Sequence, residues 1–409
     1  MTDLRAAERS GGPALRGRTV GLAAAAGLAA AMGVGRFVFT PLLPIMTASA
    51  GISAGDGAVI ATGNYAGYLL GAVLLTRRPQ LSLRSTFLAW SVVLVASEAG
   101  MAATAQVAVA TGLRFVAGAA SAAVFIACAA TVAHHRHEGA SPGVAFAGVG
   151  LGIALSGVYT LLAAPHLSWQ ELWLGSAVLT ALLLAPAWLL DIRSESGPAD
   201  SAGATALDAG RTGTGQARRA WRLLLASYFA EGVGYIIIGT FLVAAVAGTG
   251  SSSAGALVWT LVGLAAAPAT LAWHRLARRI GTGPALVTAL AVQAAGAAVA
   301  AASGNVAAAA VAAVAFGATF MGVVVLTLDY ARRLRVPRAA ASLTAVYAIG
   351  QVLGPLLVVP VVGRSFATAF TVAAVVIAMS AVLAFAAART DRGVRSADRK
   401  AGRSATLPA

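Results

Sequence analysis

Residues 33–44 read GVGRFVFTPLLP, and Arg36 is the one charged residue in an apolar run from about Thr19 to Thr47. A helix that crosses a bilayer needs about 20 apolar residues, so the run is long enough to span. An arginine near the bilayer centre costs roughly 2.5 to 3.5 kcal/mol on insertion scales. Arg36 lies eleven residues from the outer end of the run, about 16 Å at 1.5 Å per residue, which is deep for snorkelling. Something other than lipid must therefore face it.

The rest of the chain fits that setting. Of 409 residues, 59% are hydrophobic and 11% charged, and the mean hydropathy is +0.82, far above that of a soluble domain. Twelve apolar stretches of spanning length occur, at about 19–47, 53–76, 84–106, 108–133, 140–164, 170–190, 219–247, 252–274, 282–303, 305–331, 338–362 and 366–388. An all-α integral membrane protein is expected, since no period-2 pattern suggests a barrel. Ala48-Ser49-Ala50 resembles a cleavage site for a secretory signal, but the preceding run is too long and contains Arg36, so cleavage is not expected.

The net charge of +15 would suggest nucleic acid on a soluble protein. Here 26 of the 29 basic residues fall in the amino terminus, in alternate connections and in the carboxyl tail, leaving only Arg364, Arg36 and Arg114 elsewhere. Such alternation puts both termini in the cytoplasm and removes the nucleic-acid reading, because the charge is spread over separate loops. Residues 1–18 are read as a cytoplasmic amino terminus. Residues 191–218, rich in Gly, Ser, Ala and Asp, are expected to form a flexible cytoplasmic linker between six-helix halves at 19–190 and 219–390. Residues 391–409 read as a disordered basic tail suited to anionic lipid.

The two halves repeat. At an offset of 199, Ala31-Met32-Gly33-Val34-Gly35-Arg36 lies over Ala230-Glu231-Gly232-Val233-Gly234-Tyr235, and at 198, Gly152 lies over Gly350. Six helices per half make the copies parallel repeats about the membrane normal, an architecture of transporters whose solute site lies between the halves.

These features resemble the major facilitator superfamily over about residues 17–390. Arg114-Phe115-Val116-Ala117-Gly118-Ala119-Ala120 is similar to its helix-four motif, with Ala117 where a glutamine is usual. Trp273-His274-Arg275-Leu276-Ala277-Arg278-Arg279-Ile280-Gly281 resembles the gating motif of the 8–9 loop, and Thr76-Arg77-Arg78-Pro79 a version of it without the aspartate. GVGLGIALSG in the fifth stretch keeps the glycines of the antiporter motif without its proline; Gly354-Pro355 in the eleventh keeps both. A narrower resemblance, to bacterial YbfB/YjiJ-type members, rests on GVGRFVFTPLLP, Asn64-Tyr65-Ala66-Gly67-Tyr68, Glu231-Gly232-Val233-Gly234-Tyr235 and Gly350-Gln351-Val352-Leu353-Gly354-Pro355. The resemblance implies a secondary transporter of the bacterial inner membrane.

The candidate site is read from the embedded polar residues. Arg36 is read as facing a central cavity and binding an anionic group, or as a structural ion-pair partner. Glu231, at nearly the same depth in the seventh stretch, is the candidate protonatable group and could pair with Arg36, or else hydrogen-bond between packed helices. Glu98 and Arg114 fall at similar heights on adjacent antiparallel helices, either as a structural ion pair or as a proton-coupling pair. Asn64, Tyr65, Tyr68, Tyr235 and Gln351 suit a solute with polar and apolar parts, or bond between helices. Pro41 and Pro44 are expected to break the first helix just beyond Arg36. Arg77, Arg78, Arg275, Arg278, Arg279, Asp329, Arg332 and Arg333 are candidates for a cytoplasmic charge gate. Asp329 reads either as a gate ion pair or as a solvated helix end.

His134, His135 and His137 lack further ligands at useful spacing, and Cys128 is the single cysteine, so no metal is expected. No phosphate loop or Ser/His/Asp set falls at one depth, and neither cofactor nor enzymatic activity is expected. The expected partners are a small-molecule solute, protons and the lipid bilayer, with the chain acting as a monomer. Export of hydrophobic or drug-like compounds is the alternative within transport, and a non-transporting membrane sensor or assembly protein the alternative outside it.

Overall fold

The computed structural model describes residues 13–77, 84–192, 215–247, 252–334, 336 and 339–404, which are helical nearly throughout and contain no strand. In chain order the α-helices are α1 (Pro13–Leu28), α2 (Phe39–Ser49), α3 (Ala54–Arg77), α4 (Arg84–Met101), α5 (Val107–His134), α6 (Pro142–Ala163), α7 (Trp169–Ala187), α8 (Gly215–Ala247), α9 (Ser252–Ala266), α10 (Ala269–Ile280), α11 (Thr282–Ala302), α12 (Val306–Arg333), α13 (Ala339–Val362) and α14 (Phe366–Ser404). Among the described residues, ten helical segments are long and apolar enough to cross a membrane, or eleven if the bent pair α9 and α10 counts as one span. The 18-residue α4, which carries Arg84 and Glu98, falls outside that set. Leu22, Leu162, Leu182, Val375 and Val382 are each more than half exposed, as a lipid-facing surface requires.

The first stretch breaks earlier than its prolines suggest. A π-helical turn over Ala29–Val34 follows α1, closed by Gly35 N–H donating to Ala30 O at 2.7 Å, and residues 35–38 form turns before α2 begins. Pro41 stands in the first turn of α2, where its missing N–H would have had no helical partner anyway. The disruption is therefore centred on Arg36, not beyond it.

Two further boundaries differ from expectation. The eighth stretch bends by 44° at Pro268, so Arg275, Arg278 and Arg279 lie on helix α10 rather than in a loop. Its partner α11 begins directly after Gly281. The last helix continues to Ser404 instead of ending near residue 388 in a disordered tail. Most of the expected linker (193–214), residues 1–12, Arg78 and residues 405–409 lie outside the described residues.

The internal repeat appears in the packing. A methyl group on Gly33 would lie 2.4 Å from Gly152 Cα, and one on Gly350 would lie 3.1 Å from the Gly232 carbonyl carbon. The glycine contact between the first and fifth stretches thus recurs between the seventh and eleventh, because only a residue without a side chain lets the backbones approach so closely. The halves meet where α2 touches α8, α3 touches α13 and α6 touches α9. At this interface Thr40 Oγ1 donates to Gly239 O at 2.9 Å. These two residues are 199 apart, so positions equated by the repeat touch each other across the junction.

Candidate functional site

Arg36 leaves the broken first helix into the junction and is only 3% exposed. Its Nη2 donates to Gln351 Oε1 of α13 at 2.6 Å. Its guanidinium carbon lies 4.2, 5.2 and 5.4 Å from the ring centroids of Tyr68, Tyr65 and Phe37. One hydrogen bond to a charged donor contributes about 1.5 to 3 kcal/mol, and cation–π contacts contribute roughly 0.5 to 2. Those terms match the insertion cost, yet Nε remains buried without a hydrogen-bond partner.

Gln351 spans the junction. Its Nε2 donates to the Tyr235 hydroxyl, which lies on α8 where the repeat places the equivalent of Arg36. Tyr347, one turn before Gln351 on α13, stacks on the Tyr235 ring at 5.3 Å. Glu231 is fully buried, and its Oε1 accepts a long bond of 3.4 Å from Gln293 Nε2 of α11. Arg36, Gln351 and Tyr235 thus make a bonded run from one half into the other that ends one turn along α8 from Glu231 and its partner Gln293. A direct Arg36–Glu231 pair is not formed. The offset of 199 puts Tyr235 over Arg36 and Glu231 over Met32, four residues back, or about 6 Å along a helix.

Aromatic rings line this run. In the carboxyl half Tyr228 and Tyr347 stack at 4.4 Å and 15°, Tyr347 and Tyr235 at 5.3 Å and 11°, and Tyr235 and Phe320 at 6.3 Å and 3°. Phe316 joins the same near-parallel set at 5.3 Å from Phe320. On the other side Tyr65 bonds to Thr240 Oγ1 at 3.1 Å. Since the Thr240 hydroxyl donates its single proton to Ile236 O at 2.7 Å, Tyr65 is the donor. Tyr65, Tyr68, Tyr228, Tyr235 and Tyr347 are five of the chain's seven tyrosines.

Arg114 and Glu98 do not form an ion pair. Both terminal nitrogens of Arg114 instead donate to carbonyls of the helix break, Nη1 to Gly35 O at 2.8 Å and Nη2 to Arg36 O at 2.6 Å. Turns at residues 35–38 interrupt the regular helical ladder, and a planar fork of donors suits two adjacent acceptors. Glu98 is fully buried beside Thr180, and neither carboxyl oxygen makes a geometrically good hydrogen bond. Asn64 Nδ2 donates to Arg114 O at 3.0 Å, joining α3 to α5.

The charge-gate candidates lie apart from this centre. Arg77, Arg275, Arg278, Arg279, Arg332 and Arg333 are exposed. Asp329 pairs with Arg332 one turn along the same helix, so that ion pair joins no two elements. His135 Nδ1 lies 2.9 Å from Thr131 O, and among the described residues no group of three or more His, Cys, Asp or Glu is placed to hold a metal.

Tyr228, Tyr347, Gln293, Phe316 and Phe320 are not among the residues that the sequence singles out. A signal is present: Tyr228, Glu231 and Tyr235 follow an i, i+3, i+7 spacing, and Tyr347 with Gln351 an i, i+4 spacing, so each set shares a helix face.

Two solved structures of the nucleoside transporter NupG share this architecture. One superposes with a TM-score of 0.70 at 13% identity, covering 91% of this chain and 98% of the other. A point mutant gives 0.68 at 15%, covering 91% and 99%. At such identities the likeness shows the fold alone. No curated protein matches the chain in sequence. The family described as "Uncharacterised MFS-type transporter YbfB" matches residues 28–389; the chain is a multi-pass membrane protein that belongs to this family of the major facilitator superfamily.

Proposed function

We propose that the protein moves a small anionic organic solute across the bacterial cytoplasmic membrane by alternating access, driven by protons. The observation that carries this reading is the bonded run from Arg36 through Gln351 to Tyr235, which stands one turn from the buried Glu231 on α8. A cation with a free donor stands at one end and a carboxyl one turn beyond the other, on opposite halves. A solute carboxylate or phosphate is a stronger acceptor for guanidinium than a neutral amide, so it displaces Gln351 from Arg36. The freed amide disturbs the tyrosine hydroxyls and through them the environment of Glu231, which links solute binding to proton binding.

Tyr65 and Tyr68 flank Arg36 in this reading, Arg114 with Asn64 holds the shape of the helix break, and Glu98 is a second candidate for the proton site. The halves at 19–190 and 219–390 rock about the junction, with α4 as the twelfth span and the chain acting as a monomer. The distribution of basic residues supports cytoplasmic termini, with the exposed arginines of α3, α10 and α12 on the cytoplasmic side.

The test is uptake into proteoliposomes against a panel of organic acids, amino acids and hydrophobic cations, with and without an imposed pH gradient. Accumulation of an anion that responds to the gradient is expected. Movement of hydrophobic cations alone would favour drug export, and movement of no solute would favour a membrane sensor.

A further inference from the structure

The anion-site reading leaves the body of the solute undefined, and the walls around Arg36 narrow it. Resting on that reading, we infer that the solute is an aromatic carboxylate: its acid group meets the unpartnered edge of Arg36, and its flat ring lies between the ring walls of the two halves.

Arg36 is buried, its Nε lacks a partner, and its one hydrogen-bonded acceptor is a neutral amide. A carboxylate fits a guanidinium edge with two parallel bonds. The amino half surrounds the guanidinium with Tyr68, Tyr65 and Phe37. The carboxyl half presents the near-parallel set of Tyr235, Tyr347, Phe316 and Phe320. Gln351 touches both sides, with Oε1 on Arg36 and Nε2 on Tyr235. A group that displaces Gln351 from Arg36 therefore enters between two aromatic surfaces, where a planar ring gains stacking that a saturated ring of the same size does not.

The polar groups nearby argue against a solute rich in hydroxyls. Tyr65 is bonded to Thr240, Thr240 to Ile236 O and Thr40 to Gly239 O. With those hydroxyls already paired, a sugar buried here would find few partners for its own.

The experiment uses the full chain in detergent and reads ligand-induced thermal stabilisation. Unfolding is followed with a thiol-reactive dye at Cys128, the single cysteine, which is fully buried. Two matched pairs of acids differ only in ring saturation: benzoate against cyclohexanecarboxylate, and 2-naphthoate against its fully saturated analogue. Benzamide and uridine serve as neutral flat ligands.

In at least one pair the aromatic acid is expected to bind about fivefold more tightly than its saturated partner, and neither neutral ligand to bind. Tyr68→Leu is expected to erase that preference while both acids still bind. Phe37→Leu serves the same purpose if Tyr68→Leu does not fold. Equal binding within both pairs would overturn the aromatic class and leave the anion site standing. Binding of benzamide or uridine without either aromatic acid, or of none of these ligands, would overturn both.

Discussion

Arg36 Nη2 donates to Gln351 Oε1 at 2.6 Å, joining a break in the first helix of one half to α13 of the other. The contact is made and lost as a unit, because Arg36 has no other hydrogen-bonded side-chain partner among the described residues. Gln351→Glu places a carboxylate in the same position. It is expected to raise the thermal stability of the detergent-solubilised protein and to weaken binding of anionic solutes at least tenfold, since about 1.4 kcal/mol suffices for that factor and a charged hydrogen bond contributes more. Binding that is unchanged in this variant would mean the solute does not compete with Gln351.

Arg114 stands in the segment that resembles the helix-four motif, and both of its terminal nitrogens are engaged by the helix break. Its two bonds to the carbonyls of Gly35 and Arg36 leave two buried acceptors unpaired when they are removed. Arg114→Ala is expected to lower unfolding stability by about 3 kcal/mol, with Arg114→Lys recovering part of the loss, since a single ammonium replaces the fork only in part. Chemical unfolding in detergent measures it. An alanine variant of normal stability that no longer moves solute would assign Arg114 to solute chemistry instead.

The proposed proton coupling can be tested separately from solute exchange. In Glu231→Gln, counterflow without a gradient is expected to persist while the response to an imposed pH gradient disappears. Tyr347→Phe keeps the ring between Tyr228 and Tyr235 but removes the hydroxyl next to Glu231, so it is expected to weaken the gradient response severalfold and spare folding. A full gradient response in Glu231→Gln would move the proton site elsewhere, with Glu98 the next buried carboxyl to test.

Much of this arrangement is legible in the sequence. The spans are set by apolar length, and the equivalence of Gly33 with Gly232 and of Gly152 with Gly350 is given by the offset alone. The bent pair α9 and α10 escapes because hydropathy records composition, not the direction of an axis at Pro268. The partners of Arg36 and Arg114 escape for a different reason. Two opposite charges at similar depth suggest an ion pair, but the π-helical turn at Ala29–Val34 rotates the residues after it, and the turns at 35–38 open two carbonyls. Nothing in residue identity announces either event. Tyr347 is readable as the face-mate of Gln351; its relation to Glu231 depends on how α8 and α13 cross.

The central claim is that Arg36 holds the solute's anionic group, and counterflow of a transported anion in Arg36→Gln proteoliposomes tests it most directly. The glutamine keeps a polar side chain while removing the charge. Saturable counterflow in the parent chain, falling at least tenfold in a folded Arg36→Gln protein, is the result expected. Undiminished exchange in that variant would contradict it.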